Sequence, residues 1–237
     1  KARIEKDRFN ARDLILSEFK TDYWLDESNK SFLSFVIADF EEFNFYPPKV
    51  VEEFYIKSTI LYTRAINVSA ISIVTALCSE YCDYYFIRDI YNTCFLNDYG
   101  LIGNKELSYN TLKACEIERK QVGSGLNYLA AINFDDYKAF KDHPVKSHAE
   151  CLKFESEFSN PEIISLILLH HEKSDGEGFP NGYFRNVLSD TDTLITFSDN
   201  LVPFTETFFF IGDSKSLLLD NFEEIKKYKN QYNIYRH

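Results

Sequence analysis

Three of the five histidines in this chain are placed where they could bind one metal ion. His170 and His171 are adjacent and end a strongly apolar segment, and His143 lies 27 residues before His170. Neighbouring side chains on a helix point about 100° apart, but both imidazoles can reach one ion at a helix end, where the backbone loosens. Imidazole suits iron, zinc, manganese or nickel. Taken singly, each histidine would be an ordinary polar residue at a helix end, and only their combination predicts a metal site.

Two carboxylates stand in apolar surroundings that would make an isolated negative charge costly. Asp98 follows Phe95-Leu96-Asn97, and Asp199 follows Leu194-Ile195-Thr196-Phe197-Ser198. A carboxylate in such a place needs a partner of opposite charge or a bound cation. Asp98 and Asp199 are therefore candidates either for an ion pair or for a bound cation, and each taken singly could be an ordinary polar residue.

The segment that begins at His170 carries the most specific signal in the chain. Residues 170–180 read HHEKSDGEGFP and resemble the HHExxDGxGYP signature of the HD-GYP family. Residues 95–103 (FLNDYGLIG) resemble that family's LLHDIGKIG segment, residues 143–145 its HPxxG segment and residues 197–200 its AxADxxDA segment. The resemblance spans roughly residues 60 to 225. It implies an all-α metal phosphohydrolase that binds two or three metal ions, often iron, and hydrolyses cyclic di-GMP.

The resemblance also implies a role for each matching residue. Asp98 would bridge two metal ions, and Asp199 would bind the first of them. His143, His170 and His171 would complete the shell of the second ion.

Several positions depart from the family pattern, and they weaken the first metal site. Asn97, a weak neutral ligand at best, replaces the histidine of the HD pair, and residues 66–70 contain no histidine where the family has one. Leu101 replaces a lysine that would contact substrate phosphate, and Phe179 replaces the tyrosine of the signature. We therefore expect one divalent ion rather than two, iron or manganese, and weak or absent phosphodiesterase activity.

The signature segment offers further candidate residues besides the histidines. Glu172 could orient a ligating imidazole, and Asp175 could either do the same or cap the turn. Lys173 could contact phosphate, although a solvated lysine is the simpler interpretation. The turn Gly178-Phe179-Pro180 would lie beside the substrate, where the Phe179 ring could stack on guanine, and would contact a signalling partner protein. The alternative is that its glycines and proline only shape a tight turn.

Composition excludes some classes of function. The formal net charge of −11 argues against binding to nucleic acid or to an anionic membrane. No apolar run is long enough to cross a bilayer. The five cysteines are odd in number and show no framework spacing, which favours a reducing, cytoplasmic location.

The apolar pattern predicts an all-α fold, an HD-superfamily helical bundle with a small N-terminal helical extension. We place a boundary at Pro47-Pro48, with an unassigned N-terminal region at 1–48 and an HD-GYP-like domain at 49–237. Helical stretches are predicted at 49–88, 89–103, 143–157, 161–172, 190–209 and 221–232. The only good strand candidate is residues 208–211, which could equally be buried helix.

Three functions fit the sequence. The first is a degenerate HD-GYP module that binds cyclic di-GMP or a protein partner without efficient catalysis. The second is an active phosphodiesterase with a reduced metal site, and the third is a purely structural interaction domain. A homodimer is compatible with the sequence.

Overall fold

A computed structural model describes residues 48–78, 81, 83–102, 134–173, 176–183 and 189–202 of the 237-residue chain. The described residues form α-helices and 3₁₀ helices with no strand among them, which confirms the all-α prediction. None of the described helices is both long and apolar enough to cross a membrane. The predictions made for residues 1–47, for Asp175, for the strand candidate at 208–211 and for the helix at 221–232 fall outside the described residues.

The predicted helix at 49–88 is divided in the structure. Helix α1 spans Pro48–Lys57 and helix α2 spans Thr59–Cys78. Helix α3 then spans Tyr84–Leu96, begins at the N-cap Asp83 and is followed by a 3₁₀ helix at Tyr99–Leu101. The Asp83 carboxylate accepts a hydrogen bond from the backbone N–H of Phe86, a cap that the apolar periodicity does not reveal.

The predicted helix at 143–157 begins earlier than expected. Helix α4 spans Phe134–Cys151, and the chain then tightens into a 3₁₀ helix at Leu152–Glu157. The segment predicted as a helix at 161–172 is a 3₁₀ helix at Pro161–Leu169, capped by Asn160. Helix α5 spans Asp190–Leu201 and starts at a capping box formed by Ser189 and Asp192.

Helix α2 lies at the centre of the described part of the protein. It packs against α1, α3 and α5, while the 3₁₀ helix Pro161–Leu169 packs against α3, α4 and α5. The hydroxyl groups of Ser69, Ser72 and Thr75 are buried, and each donates to a carbonyl of α2 itself. The helix can therefore bury these three hydroxyl groups because each is satisfied by its own backbone.

Asp89 ties the 3₁₀ helix Pro161–Leu169 to helix α3. Its buried carboxylate accepts hydrogen bonds from the backbone N–H groups of Ser159 and Asn160, at 3.1 and 2.8 Å. These are the residues that lead into the 3₁₀ helix. The contact fixes the start of a helix whose other end carries His170.

Candidate metal centre

A proline sets the orientation of His143. Pro144 lies inside helix α4 and has no N–H to offer the carbonyl of Phe140 four residues earlier. The imidazole of His143 uses that carbonyl instead, with Nδ1 at 2.5 Å from the oxygen. Since a carbonyl oxygen only accepts, Nδ1 donates to it, and Nε2 is the nitrogen that faces Asp98 and His170 in the interior.

The three-residue period of the 3₁₀ helix Pro161–Leu169 brings His170 to the core. Side chains three residues apart eclipse in such a helix, and His170 follows Ile164 and Ile167, which are both fully buried. At this helix end the carbonyl of Ile167 is 2.6 Å from Nδ1 of His170. Nδ1 of His170 therefore donates to this carbonyl, and Nε2 is the nitrogen that faces His143.

Asp98 reaches the histidines because of a close approach at Gly100. Asp98 precedes the 3₁₀ helix Tyr99–Leu101, which packs on α4. A Cβ atom at Gly100 would lie 2.6 Å from the carbonyl oxygen of His143 and 2.7 Å from the backbone nitrogen of Ser147. The hydroxyl of Ser147 accepts a hydrogen bond from the Gly100 N–H at 2.8 Å. Only glycine allows this spacing without a shift of the backbone.

Three electron-rich atoms converge at this point. The Nε2 atoms of His143 and His170 lie 2.9 Å apart, and Oδ1 of Asp98 is 3.2 Å from the first and 3.8 Å from the second. All three side chains are fully buried. Burial lowers the pKa of His170 to about 4, so its imidazole is neutral near pH 7. A metal ion placed among these three atoms could be coordinated by all of them.

His171 completes the cluster from the turn after the 3₁₀ helix. One candidate ligand atom from each of four residues lies within 4.8 Å of all the others, and these residues are Asp98, His143, His170 and His171. An imidazole set with one carboxylate is a donor set that iron, manganese and zinc accept. A metal-binding histidine normally donates its second ring N–H to a carbonyl or a carboxylate. Nδ1 of His143 and Nδ1 of His170 each make such a hydrogen bond to a backbone carbonyl. The residues therefore fit a metal ion.

On the side of Asp98 away from the histidines lies an arginine. Nη1 of Arg64, in helix α2, donates to Oδ2 of Asp98 in a buried ion pair. Burial by itself would raise the pKa of Asp98, but the Arg64 guanidinium outweighs that effect and holds the pKa below its ordinary value, with His143 and His170 acting in the same direction. Asp98 is therefore ionised and available to a cation across the neutral pH range.

Asn97 and Asp199, which the sequence suggested as metal ligands, lie beside the cluster of four. The Asn97 side-chain amide donates to Oδ1 of Asp199 at 2.9 Å, and Nη2 of Arg64 reaches the same oxygen at 2.7 Å. The other oxygen of Asp199 is 3.7 Å from Nδ1 of His171. In this arrangement Asn97 serves as a hydrogen-bond donor, and Asp199 accepts from a guanidinium.

Glu172 has a different neighbour from the one expected. Its fully buried carboxylate accepts from the backbone N–H groups of Asn181 and Tyr183, at 2.7 and 2.9 Å. It thus holds the turn that carries the Gly178-Phe179-Pro180 segment, rather than orienting an imidazole. A Cβ atom at Gly178 would lie 2.3 Å from the backbone nitrogen of Lys173, so this turn also depends on a close approach.

The ring of Phe179 lies against the cluster. It stacks on the imidazole of His171 at a centroid distance of 4.5 Å, and Nζ of Lys141 lies 4.2 Å from its centroid. It also packs against the rings of Phe140 and His143. With these contacts the ring covers part of the histidine cluster, next to His143 and His171. Lys173 is half-buried next to this turn.

Arg64 is the residue at this site that the sequence analysis missed. It is the only charged residue in helix α2, and only 2% of its side chain is exposed. An arginine in an otherwise uncharged helix signals a buried partner. The sequence offers Asp98 and Asp199 as its partners, because each of these carboxylates stands in apolar surroundings and needs a positive charge nearby.

The fold and the site define an all-α protein with a buried Asp–His₃ cluster that could hold a metal ion. No family model matches the chain, and neither a search of curated proteins nor one of solved structures found a significant match.

Proposed function

We propose that this chain is a degenerate HD-GYP-like domain that holds one divalent metal ion, iron or manganese. The ligands are Asp98, His143, His170 and His171. The observation that carries the proposal is the convergence of two Nε2 atoms and one carboxylate oxygen in the interior, close enough together for one metal ion to be coordinated by all three. The signature segment at residues 170–180 supports the same assignment.

A bound ion of this kind supplies Lewis acidity and lowers the pKa of a coordinated water. The residues around it have separate tasks. The carbonyls of Phe140 and Ile167 fix the tautomers of His143 and His170, so that both present Nε2. Phe179 limits the access of water by covering His171.

Catalysis by this centre is weak or absent in our proposal. In a two-metal phosphodiesterase both ions share a bridging carboxylate, and together they stabilise the attacking and the leaving oxygens. The second side of Asp98 is held by Arg64, and a guanidinium neither activates water nor accepts a ligand. Loss of one electrostatic stabiliser commonly costs about 10²-fold or more in rate.

The ligand that we propose is cyclic di-GMP, since the signature segment is the one that the HD-GYP family uses for this substrate class. The domain would act in signalling by binding the nucleotide, a protein partner, or both. The turn Gly178-Phe179-Pro180 is the surface proposed for the partner, because Pro180 is exposed while Phe179 is anchored below it.

The metal is tested first. Purified protein is loaded anaerobically with Fe²⁺ or Mn²⁺, desalted and analysed for metal by mass spectrometry. We expect one ion per chain in the unchanged protein and a clear loss in His171→Ala. His148→Ala is the matched control, since His148 lies on helix α4 outside the cluster and is half-buried. A protein that retains no metal would reject the proposal.

Activity and binding are tested next by incubating the metal-loaded protein with cyclic di-GMP and following pGpG and GMP by chromatography. Retention of the nucleotide without products supports the proposed receptor. Turnover that disappears in His171→Ala supports an active phosphodiesterase with a reduced site instead. If the protein neither turns over nor retains cyclic di-GMP, the remaining function is that of a purely structural interaction domain.

A further inference from the structure

The guanidinium of Arg64 is held from three sides in the interior. Besides its ion pair with Asp98, Nη2 donates to Oδ1 of Asp199 at 2.7 Å and to the backbone oxygen of Asp199 at 3.1 Å. Nε donates to the backbone oxygen of Val202 at 3.1 Å. Arg64 is 2% exposed, and both carboxylates are fully buried.

The two carboxylate oxygens of Asp98 therefore face two different places, and a cation could lie at each. Oδ1 points to Nε2 of His143 and His170, where the proposed ion would bind. Oδ2 points to Arg64, which a second carboxylate, Asp199, contacts as well. A carboxylate that bridges two cations, with a further carboxylate on one of them, is an arrangement that two-metal sites commonly use.

We infer that the Arg64 guanidinium occupies the position of a second metal ion, so that this centre admits one ion only. The positive charge needed between Asp98 and Asp199 is fixed covalently to helix α2 and cannot dissociate. Replacing Arg64 by a shorter side chain with a ligand atom should therefore open a second cation site between the two carboxylates. The inference relies on the proposed function only for the ion at the histidines.

The test counts Mn²⁺ ions per chain after anaerobic loading and desalting. We expect one ion in the unchanged protein and two in Arg64→His, in which the guanidinium is removed and an imidazole is supplied. Arg64→Lys is the matched control, because it keeps a cation and adds no ligand, and it should still bind one ion. The pair Arg64→His with Asn97→His supplies a second imidazole near Asp199 and should bind the additional ion more tightly.

The two proposals fail in different ways. An unchanged protein without metal, together with one ion in Arg64→His, would reject the proposed metal function and support the role of Arg64. Equal ion counts in the unchanged protein and in both histidine variants would overturn the role of Arg64.

Electron paramagnetic resonance of the Mn²⁺-loaded unchanged protein gives an answer that does not depend on how the variants fold. A six-line spectrum of an isolated ion is expected, and an exchange-coupled pair would overturn the inference.

Discussion

Arg64 and Asp199 are 135 residues apart in the sequence, and the arginine donates to both the side chain and the backbone of the aspartate. This pair joins helix α2 to helix α5 at a depth where neither side chain is exposed to solvent. The same guanidinium contacts Asp98 at the end of helix α3. One cation therefore links three helices and compensates two buried carboxylates.

Removal of that cation should destabilise the metal-free protein strongly. Arg64→Met retains an apolar stem of similar length but leaves Asp98 and Asp199 without their shared cation. Breaking a buried ion pair on one side costs about 3–5 kcal/mol, and we expect a loss of that order in urea unfolding with a chelator present. Arg88→Met is the control, since Arg88 is 24% exposed where it pairs with Asp89, and its loss should be clearly smaller. Equal losses would contradict the linking role of Arg64.

The backbone of Gly100 lies so close to helix α4 that a methyl group added at this position should change both stability and metal binding. In Gly100→Ala the Cβ atom would meet the backbone of helix α4 at 2.6–2.7 Å, so Asp98 and His143 must move apart. We expect a loss of about 1–3 kcal/mol in the free energy of unfolding together with weaker Mn²⁺ binding by calorimetry. Ser147→Ala removes only the hydrogen bond from the Gly100 N–H and should lose stability while keeping its metal affinity. Unchanged metal affinity in Gly100→Ala would show that this spacing does not position Asp98.

The buried His170 predicts how stability changes with pH. Its pKa is lowered by burial from 6.5 to about 4, so the unfolded chain binds a proton more readily than the folded one between these values. The contribution of His170 to the free energy of unfolding is therefore fully present above pH 6.5. It is lost as the pH falls toward 4, and the loss is about 3 kcal/mol at most. Chemical unfolding of chelator-treated protein between pH 7 and 4.5 measures the change. His170→Gln should show a shallower dependence, and an identical dependence would contradict the prediction.

The ring of Phe179 predicts the rate at which metal leaves the site. Phe179→Ala removes the stack on His171 and admits water to the cluster, and changes around a metal site commonly cost 10-fold or more in affinity. We expect Mn²⁺ to transfer to a chelator about 10-fold faster. Tyr183→Ala is the control from the same turn, because the side chain of Tyr183 is exposed and only its backbone N–H contacts Glu172. Equal transfer rates in the two variants would mean that Phe179 does not cover the ion.

The sequence by itself predicted the all-α fold and the four residues of the cluster. The helices follow from apolar residues at three- and four-residue steps, a signal that is local to each segment. His170 and His171 were identifiable because a long and unusual segment surrounds them. His143 was identifiable from its place before a proline, and the structure adds the reason, namely a carbonyl of Phe140 that Pro144 leaves available.

Only the tertiary structure decided what the neighbouring polar residues do. Asn97 and Asp199 have the residue types of metal ligands, but both are engaged in a hydrogen-bond network with Arg64. Arg64 enters that network because α2 packs against α3 and α5, which brings its guanidinium to two carboxylates distant in sequence. The periodicity of apolar residues is a local signal and indicates which face of a helix is buried. Which cation lies beside a buried carboxylate depends on how the helices pack against one another, and that is not encoded in any one segment.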